Sequence, residues 1–226
     1  MIEHPPIVHD DPVDEAPWAL QLAVRVEKSE PPAHEAACAA AACAVVRLLA
    51  DPRFAEEVRR WEDGRIRKVV RRARGARWKD AQGLPGVTVS WRGAEARAFA
   101  PGPVTEVPAA VARLQVAGTD LEHGEMAAPE GTYAAVVLNP EAGMSTGKAA
   151  AQSGHAAHLL YRSLGAAERE AWLENGAPVH LADVPWREAV ARAAVRIRDA
   201  GYTEVAPGTM TAVAWLVTGR PDAASG

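Results

Sequence analysis

Residues 132–163 read TYAAVVLNPEAGMSTGKAAAQSGHAAHLLYRS. The apolar run from Tyr133 to Leu138 predicts a buried strand over 132–138. A glycine-rich turn at 143–147 follows, then a helix over 147–163. On that helix Lys148, Gln152 and His155 stand at i, i+4 and i+7, so they share one face. Downstream the pattern predicts a helix over 166–175, a short strand at 178–182 and a helix at 186–194. Strands follow near 195–198, 203–206 and 210–217.

The same order is already present upstream. A strand is expected at 18–27, an Ala-rich helix over 33–50 opened by Pro31-Pro32, and a second helix over 53–62. Strands at 66–71, 87–91 and 96–100 complete the set. Trp61 falls on Trp172 at an offset of 111, and Trp78-Lys-Asp-Ala81 on Trp186-Arg-Glu-Ala189 at 108. Ala100-Pro-Gly102 falls on Ala206-Pro-Gly208 at 106. A slow one-way drift is what short insertions and deletions leave between two copies of one unit. The fold class is therefore α/β, with two tandem copies of a small mixed-sheet unit, each a four-stranded sheet with flanking helices. The expected divisions are a tail at 1–17, a first repeat at 18–120, a linker at 121–130 and a second repeat at 131–226.

Composition agrees with an ordinary globular chain. Of 226 residues 48% are hydrophobic and 24% charged, which excludes a disordered chain. Two cysteines, Cys38 and Cys43, sit in the Ala-rich helix and read as small core fillers in a reducing compartment. No apolar run reaches the roughly 18 residues of a membrane span. The opening residues lack the basic and apolar regions of a signal peptide. A cytoplasmic protein is expected, with no membrane contact. Net charge is −4, so a wholly basic nucleic-acid binder is excluded while a local basic patch is not.

Chemistry concentrates in the second repeat. A lysine in the first helical turn opposes the helix dipole and is a poor choice for stability. With the free N–H groups of the helix start it would make a site for an oxyanion or phosphate. A P-loop is rejected, because positions 142 and 149 are both Ala where Gly and Ser or Thr are needed. His155 and His158 lack a companion ligand set for a metal. His155 reads equally well as a buried histidine bonded to backbone. The second polar stretch runs from Asp199 to Thr211, DAGYTEVAPGTMT, and places a carboxylate and hydroxyls at strand ends. Facing the lysine helix, these groups would bind a water and stabilise developing charge.

Together the two stretches resemble the type-2 peptidyl-tRNA hydrolase family, with its signatures M-x-x-G-K-x-A-A-Q-x-x-H-A and D-A-G-x-T-x-x-x-P-G-x-x-T. The matching residues are Met144, Gly147-Lys148, Ala150-Ala151-Gln152 and His155-Ala156, then Asp199-Ala200-Gly201, Thr203, Pro207-Gly208 and Thr211. The resemblance covers about 132–217. It implies hydrolysis of the ester joining peptide to tRNA, with no metal or organic cofactor, on a small domain with a mixed four-stranded sheet. It also implies catalytic roles for Lys148, Gln152, His155, Asp199 and Thr203, and substrate contacts from Gly147, Gly201, Thr209 and Thr211. The chain departs from the family at Asn139, Glu141, Tyr202 and Pro178, and three basic positions are lost with these changes.

The first repeat resembles the family more faintly, through Gly83-Leu84-Pro85 before Val87. The offsets put Ala37, Ala41 and Ala44 where Lys148, Gln152 and His155 stand, so this copy is expected to be catalytically dead. It holds ten basic residues between 59 and 79, opposed by Glu62 and Asp63. Arg67, Arg71 and Arg74 are the expected grip on a tRNA backbone, with a solvated face as the plain alternative. The two repeats are expected to pair within the chain like the halves of a dimer, and a homodimer stays open. Two rival functions stand beside the hydrolase: a non-catalytic RNA- or protein-binding module on the same fold, and hydrolysis of another acyl ester.

Overall fold

The computed structural model describes residues 16–200 and 204–219. The first unit opens with β1 (Trp18–Arg25), α1 (His34–Ala50), α2 (Ala55–Glu62) and β2 (Lys68–Ala73). It continues with α3 (Gly75–Gln82), β3 (Gly86–Trp91), β4 (Ala94–Phe99), the two-residue β5 (Gly102–Pro103) and α4 (Ala109–Ala112). The second unit holds β6 (Tyr133–Leu138), α5 (Thr146–Ser163), α6 (Ala166–Glu174) and β7 (Val179–Leu181). It closes with α7 (Trp186–Arg192), β8 (Val195–Arg198) and β9 (Met210–Val217).

Both sheets are mixed and have one strand order. The first runs β2-β1-β4-β3, with β5 added beside β1, and the second runs β7-β6-β9-β8. In each, the first strand is parallel to its neighbour across the helical crossover and antiparallel to the last strand. The repeat extends to single hydrogen bonds. The buried Trp61 indole N–H donates to the Arg67 carbonyl at 3.1 Å, and Trp172 donates to Pro178 at 2.9 Å. The same two carbonyls accept from the strands beside them, through Leu20 N and Ala134 N, each at 3.0 Å. An indole buried whole needs a partner for its one donor, and both units supply it six residues on.

The main core lies where α1 and α5 pack on each other. In α1 nearly every residue from Ala36 to Leu49 is buried, and most are alanine, so the two backbones come close. At the crossing, a Cβ on Gly154 would lie 3.1 Å from a Val45 methyl, tighter than ordinary contact. Each long helix covers its own sheet and also touches the edge strand of the other unit, α1 against β7 and α5 against β2. Cys38 and Cys43 are buried in this core as free thiols, and burial pushes both well above the ordinary thiol range. Among the described residues no helix is long and apolar enough to cross a membrane.

Two expectations are corrected. The strand expected near 203–206 is absent over Glu204–Ala206, where the chain bends through turns instead, and Thr203 lies outside the described residues. Pro207-Gly208 with Gly208 at φ +79° turns the chain here, and Gly208 N–H donates back to the Asp199 carbonyl at 2.7 Å, leaving no room for a ladder. The second is α3, a helix in the stretch between the strands expected at 66–71 and 87–91, where none was expected. Its Trp78 and Ala81 fill a small core with Ala23, Phe99 and Val111. Residues 121–130 form neither helix nor strand but are bound into the structure. Glu122 O accepts from His34 N at 2.8 Å, and Leu121 N donates to Thr146 Oγ1 at 2.9 Å.

Candidate active site

The site is assembled from the first two turns of α5 and the turn that joins β8 to β9. Ser145 caps α5, its Oγ accepting from Lys148 N at 3.3 Å. Glu204 in turn takes Ser145 N–H at 2.9 Å and the Ser145 hydroxyl at 2.7 Å, holding the β8–β9 turn against the helix start. Lys148, Gln152 and His155 then project along one face, as their spacing requires.

Opposite them stands Asp199, at the end of β8. Its backbone is fixed on both sides: its N–H donates to Thr209 O at 2.9 Å, and its carbonyl accepts from Gly208 N. The carboxylate Oδ2 receives the Lys148 ammonium at 2.5 Å and the Gln152 amide N–H at 2.7 Å. The Lys148 and Asp199 side chains are 11% and 7% exposed, so this ion pair is largely withdrawn from water. Gln152 can donate to Asp199 only with its oxygen turned the other way. That oxygen accepts from the fully buried Thr211 hydroxyl at 2.8 Å. A directed chain results, from Thr211 through Gln152 to Asp199, with Lys148 closing it.

His155 lies one turn further along α5, partly exposed at the surface. Burial of its ring, then the positive charges of Lys68, His158 and Lys148, hold it well below its ordinary range, so it is neutral at pH 7. It stands 6.4 Å from the His158 ring, centroid to centroid. His158 is buried and belongs to a network that spans both units. Lys68 Nζ lies 3.1 Å from His158 Nδ1, and His158 Nε2 lies 2.6 Å from Glu62 Oε1. The Glu62 carboxylate only accepts, so the ring proton sits on Nε2 and Nδ1 is left to accept from Lys68. Arg162 holds the same Glu62 with two bonds of 2.9 Å. Burial lowers Lys68 to about 7, partly offset by Glu62, and lowers His158 to about 4.

Of the residues singled out in the sequence, Lys148, Gln152, Asp199 and Thr211 meet in one cluster. Thr211 is not a surface contact; it orients Gln152. Thr209 contributes its backbone carbonyl to Asp199 rather than a side chain. Gly201 and Thr203 lie outside the described residues. The expected free N–H groups at the helix start are engaged instead. Gly147 N donates to Thr119 O at 3.2 Å, Lys148 N to Ser145, and Ala149 N to Ser145 O at 2.8 Å. That leaves the side chains, not the helix end, to stabilise an oxyanion.

Sequence reasoning missed Glu204, whose position two residues after Tyr202 offered no pattern, and Lys68, which comes from the other unit. The basic cluster of the first unit also separates in space. Arg71 turns inward to Gln21 Oε1 at 3.0 Å and the Leu114 carbonyl, and Arg59 is paired with Glu56 and Asp63. Arg67 uses its carbonyl for Trp61 and Leu20. Arg74 lies on the surface beside Arg72 and Arg77.

One group among the described residues brings metal-type ligand atoms together: His34, Glu35 and His123, within 4.8 Å of one another. Its members already satisfy each other, with His123 Nδ1 2.6 Å from Glu35 and His34 Nδ1 3.0 Å from Thr146 Oγ1. It clasps the linker to α1.

No curated protein and no solved structure matches the chain. A family model does, over the residues that hold β6, α5, Asp199 and Thr211, and it bears out the resemblance read from the sequence: residues 133–217 match the family described as Peptidyl-tRNA hydrolase PTH2.

Proposed function

We propose that the second unit hydrolyses the ester bond of peptidyl-tRNA, and that the first unit is a copy without catalytic groups. The observation that carries this reading is the Thr211–Gln152–Asp199–Lys148 chain, placed in the segment that matches the family. An ester hydrolase needs a base to take a proton from water and a donor for the charge that develops on the carbonyl oxygen. Asp199 is the acceptor in this cluster, fixed through both its backbone and its carboxylate. Lys148 and Gln152 are the donors, and both can swing a hydrogen bond from Asp199 toward an oxyanion. A neutral His155 does not serve as a ready acid at pH 7. Its part in this reading is a hydrogen bond to the substrate. At the positions of Lys148, Gln152 and His155 the first unit has Ala37, Ala41 and Ala44, all three fully buried.

The test is turnover of a peptidyl-tRNA by the full chain and by Lys148→Ala. Loss of one oxyanion donor typically costs about 10²–10³ in kcat. An unchanged kcat would take the lysine out of the reaction. No turnover by either protein, with tRNA still bound, would favour a binding module on the same fold.

A further inference from the structure

We propose that the first unit carries a phosphate-binding pocket, built from Arg72, Arg74 and Arg77 around Gln115, which takes a backbone phosphate of RNA. The inference rests on the proposed tRNA substrate for the choice of RNA, but the pocket lies apart from the ester-cleaving cluster.

The sequence RRARGAR over 71–77 spans the end of β2 and the start of α3. Alternation along the strand sends Arg71 to one face and Arg72 to the other. Gly75, at φ +52°, then turns the chain sharply into α3, so Arg74 and Arg77 arrive beside Arg72. The three arginines, with Ala76 and Gln115, line a pocket of about 360 Å³. Two of the guanidinium groups are oriented from behind by the 113–118 segment. Arg72 donates to Gln115 Oε1 and, at 3.5 Å, to the Gly118 carbonyl, while Arg77 donates to the Arg113 carbonyl at 3.3 Å. Gln115 is itself fixed, its amide donating to Ala117 O at 2.8 Å. Among the described residues the Arg74 guanidinium makes no hydrogen bond, and its carbonyl accepts from Trp78 N at 3.4 Å.

No carboxylate lines this pocket. The nearest acid, Glu27, takes the Gly75 N–H at 3.1 Å and the Arg25 side chain at 3.0 Å. By contrast, Arg59 in the same basic stretch is paired with two carboxylates, and Arg162 on α5 is paired with Glu62 across the interface. Three guanidinium groups facing one cavity without an acid concentrate positive potential there, and their planar forks match phosphate oxygens.

The pocket also stands at a useful place. From Gln115, which lines the pocket, the chain runs on to Thr119, whose carbonyl accepts the N–H of Gly147, the residue before Lys148. Four residues of chain span at most about 14 Å. An RNA whose 3′ end reaches Lys148 therefore has phosphates within reach of Arg72, Arg74 and Arg77. The phosphate ligand has two sources, an RNA phosphodiester or a free phosphorylated small molecule.

The experiment measures binding of deacylated tRNA, which has no ester to cleave, to the full chain and to Arg74→Glu/Arg77→Glu, at several salt concentrations. Arg187→Glu/Arg192→Glu, an exposed double change in the second unit with the same shift in charge, is the control for net charge. Inorganic phosphate is titrated into the same proteins. The expected result is about tenfold or greater weakening for tRNA in the pocket variant, well beyond the control, and a log K against log salt slope reduced by about 1 or more. Inorganic phosphate should bind only weakly. Tight phosphate binding that the variant loses, with tRNA affinity unchanged, would overturn the RNA assignment in favour of a small phosphorylated ligand. Equal affinities and slopes in all three proteins would overturn the pocket itself. Because binding is read without turnover, a failed hydrolase reading shows separately, as tRNA bound through the pocket but not cleaved. Arg74→Gln/Arg77→Gln repeats the measurement without adding negative charge.

Discussion

Lys148→Met removes the ammonium and keeps most of the side chain's length. It leaves the Asp199 carboxylate, only 7% exposed, without its ammonium partner while the Gln152 amide still donates to Oδ2. Breaking a buried pair by removing one partner costs about 3–5 kcal/mol, because the remaining charge stays desolvated. In a chain of this size 1 kcal/mol moves Tm by about 2–4 °C, so Tm should fall by about 6–20 °C. Urea unfolding, followed by fluorescence of the buried Trp61 and Trp172, gives the same loss as a lower midpoint. The double variant Lys148→Met/Asp199→Asn removes the stranded charge and should recover a large part of the deficit. This recovery separates an unpaired charge from simple loss of packing. If Lys148→Met lies within about 0.5 kcal/mol of the parent, as an exposed substitution would, the pair is not the buried contact described above.

Thr211→Val should lower kcat with little change in KM, since it strips the Gln152 oxygen of its buried donor, at a cost of about 1–3 kcal/mol, and lets the amide turn. Thr211→Ser should restore activity, and a Val variant with parental kcat would deny Gln152 its oriented role. Lys68 makes a pH prediction. It releases its proton near 7 in the native state, while the unfolded chain holds it up to about 10.4, so the unfolded state binds more protons between these values. Stability from this group therefore rises with pH from about 7 to 10, by up to about 1.4 kcal/mol per unit. Lys68→Met should flatten that rise in urea midpoints taken at pH 7 and pH 9. Identical slopes would place Lys68 in water.

Much of this could be read in advance because local spacing carried it. Lys148, Gln152 and His155 share a face by helical geometry alone, and the Trp61–Trp172 offset marked two units whose strand order proved the same. What could not be read depended on contacts between distant segments. Whether Thr211 meets substrate or Gln152 is decided by the fold of β9 against α5. The helix start looked open because its occupants, Thr119 and Glu204, lie 28 residues before and 57 residues after Gly147 and belong to no motif. The basic stretch read as one patch because a sequence shows charge without direction. The strand alternation that hides Arg71 exposes Arg72. The strand expected at 203–206 had suitable residues, but Pro207-Gly208 claimed that stretch as a turn.

The packing of α1 on α5 has a consequence for how the molecule can change. Two halves of one polypeptide meet at the same local concentration however dilute the protein, so their association cannot be titrated away. In a symmetric pair every substitution appears on both sides of the axis. Here each appears once. Lys68 enters the α5 side, while Val179, which occupies the matching register position on β7, lies against α1 and supplies a backbone bond to the buried Cys43 thiol. The first unit sends a lysine into a polar network with His158 and Glu62, whereas the second presents a valine to an alanine-rich helix.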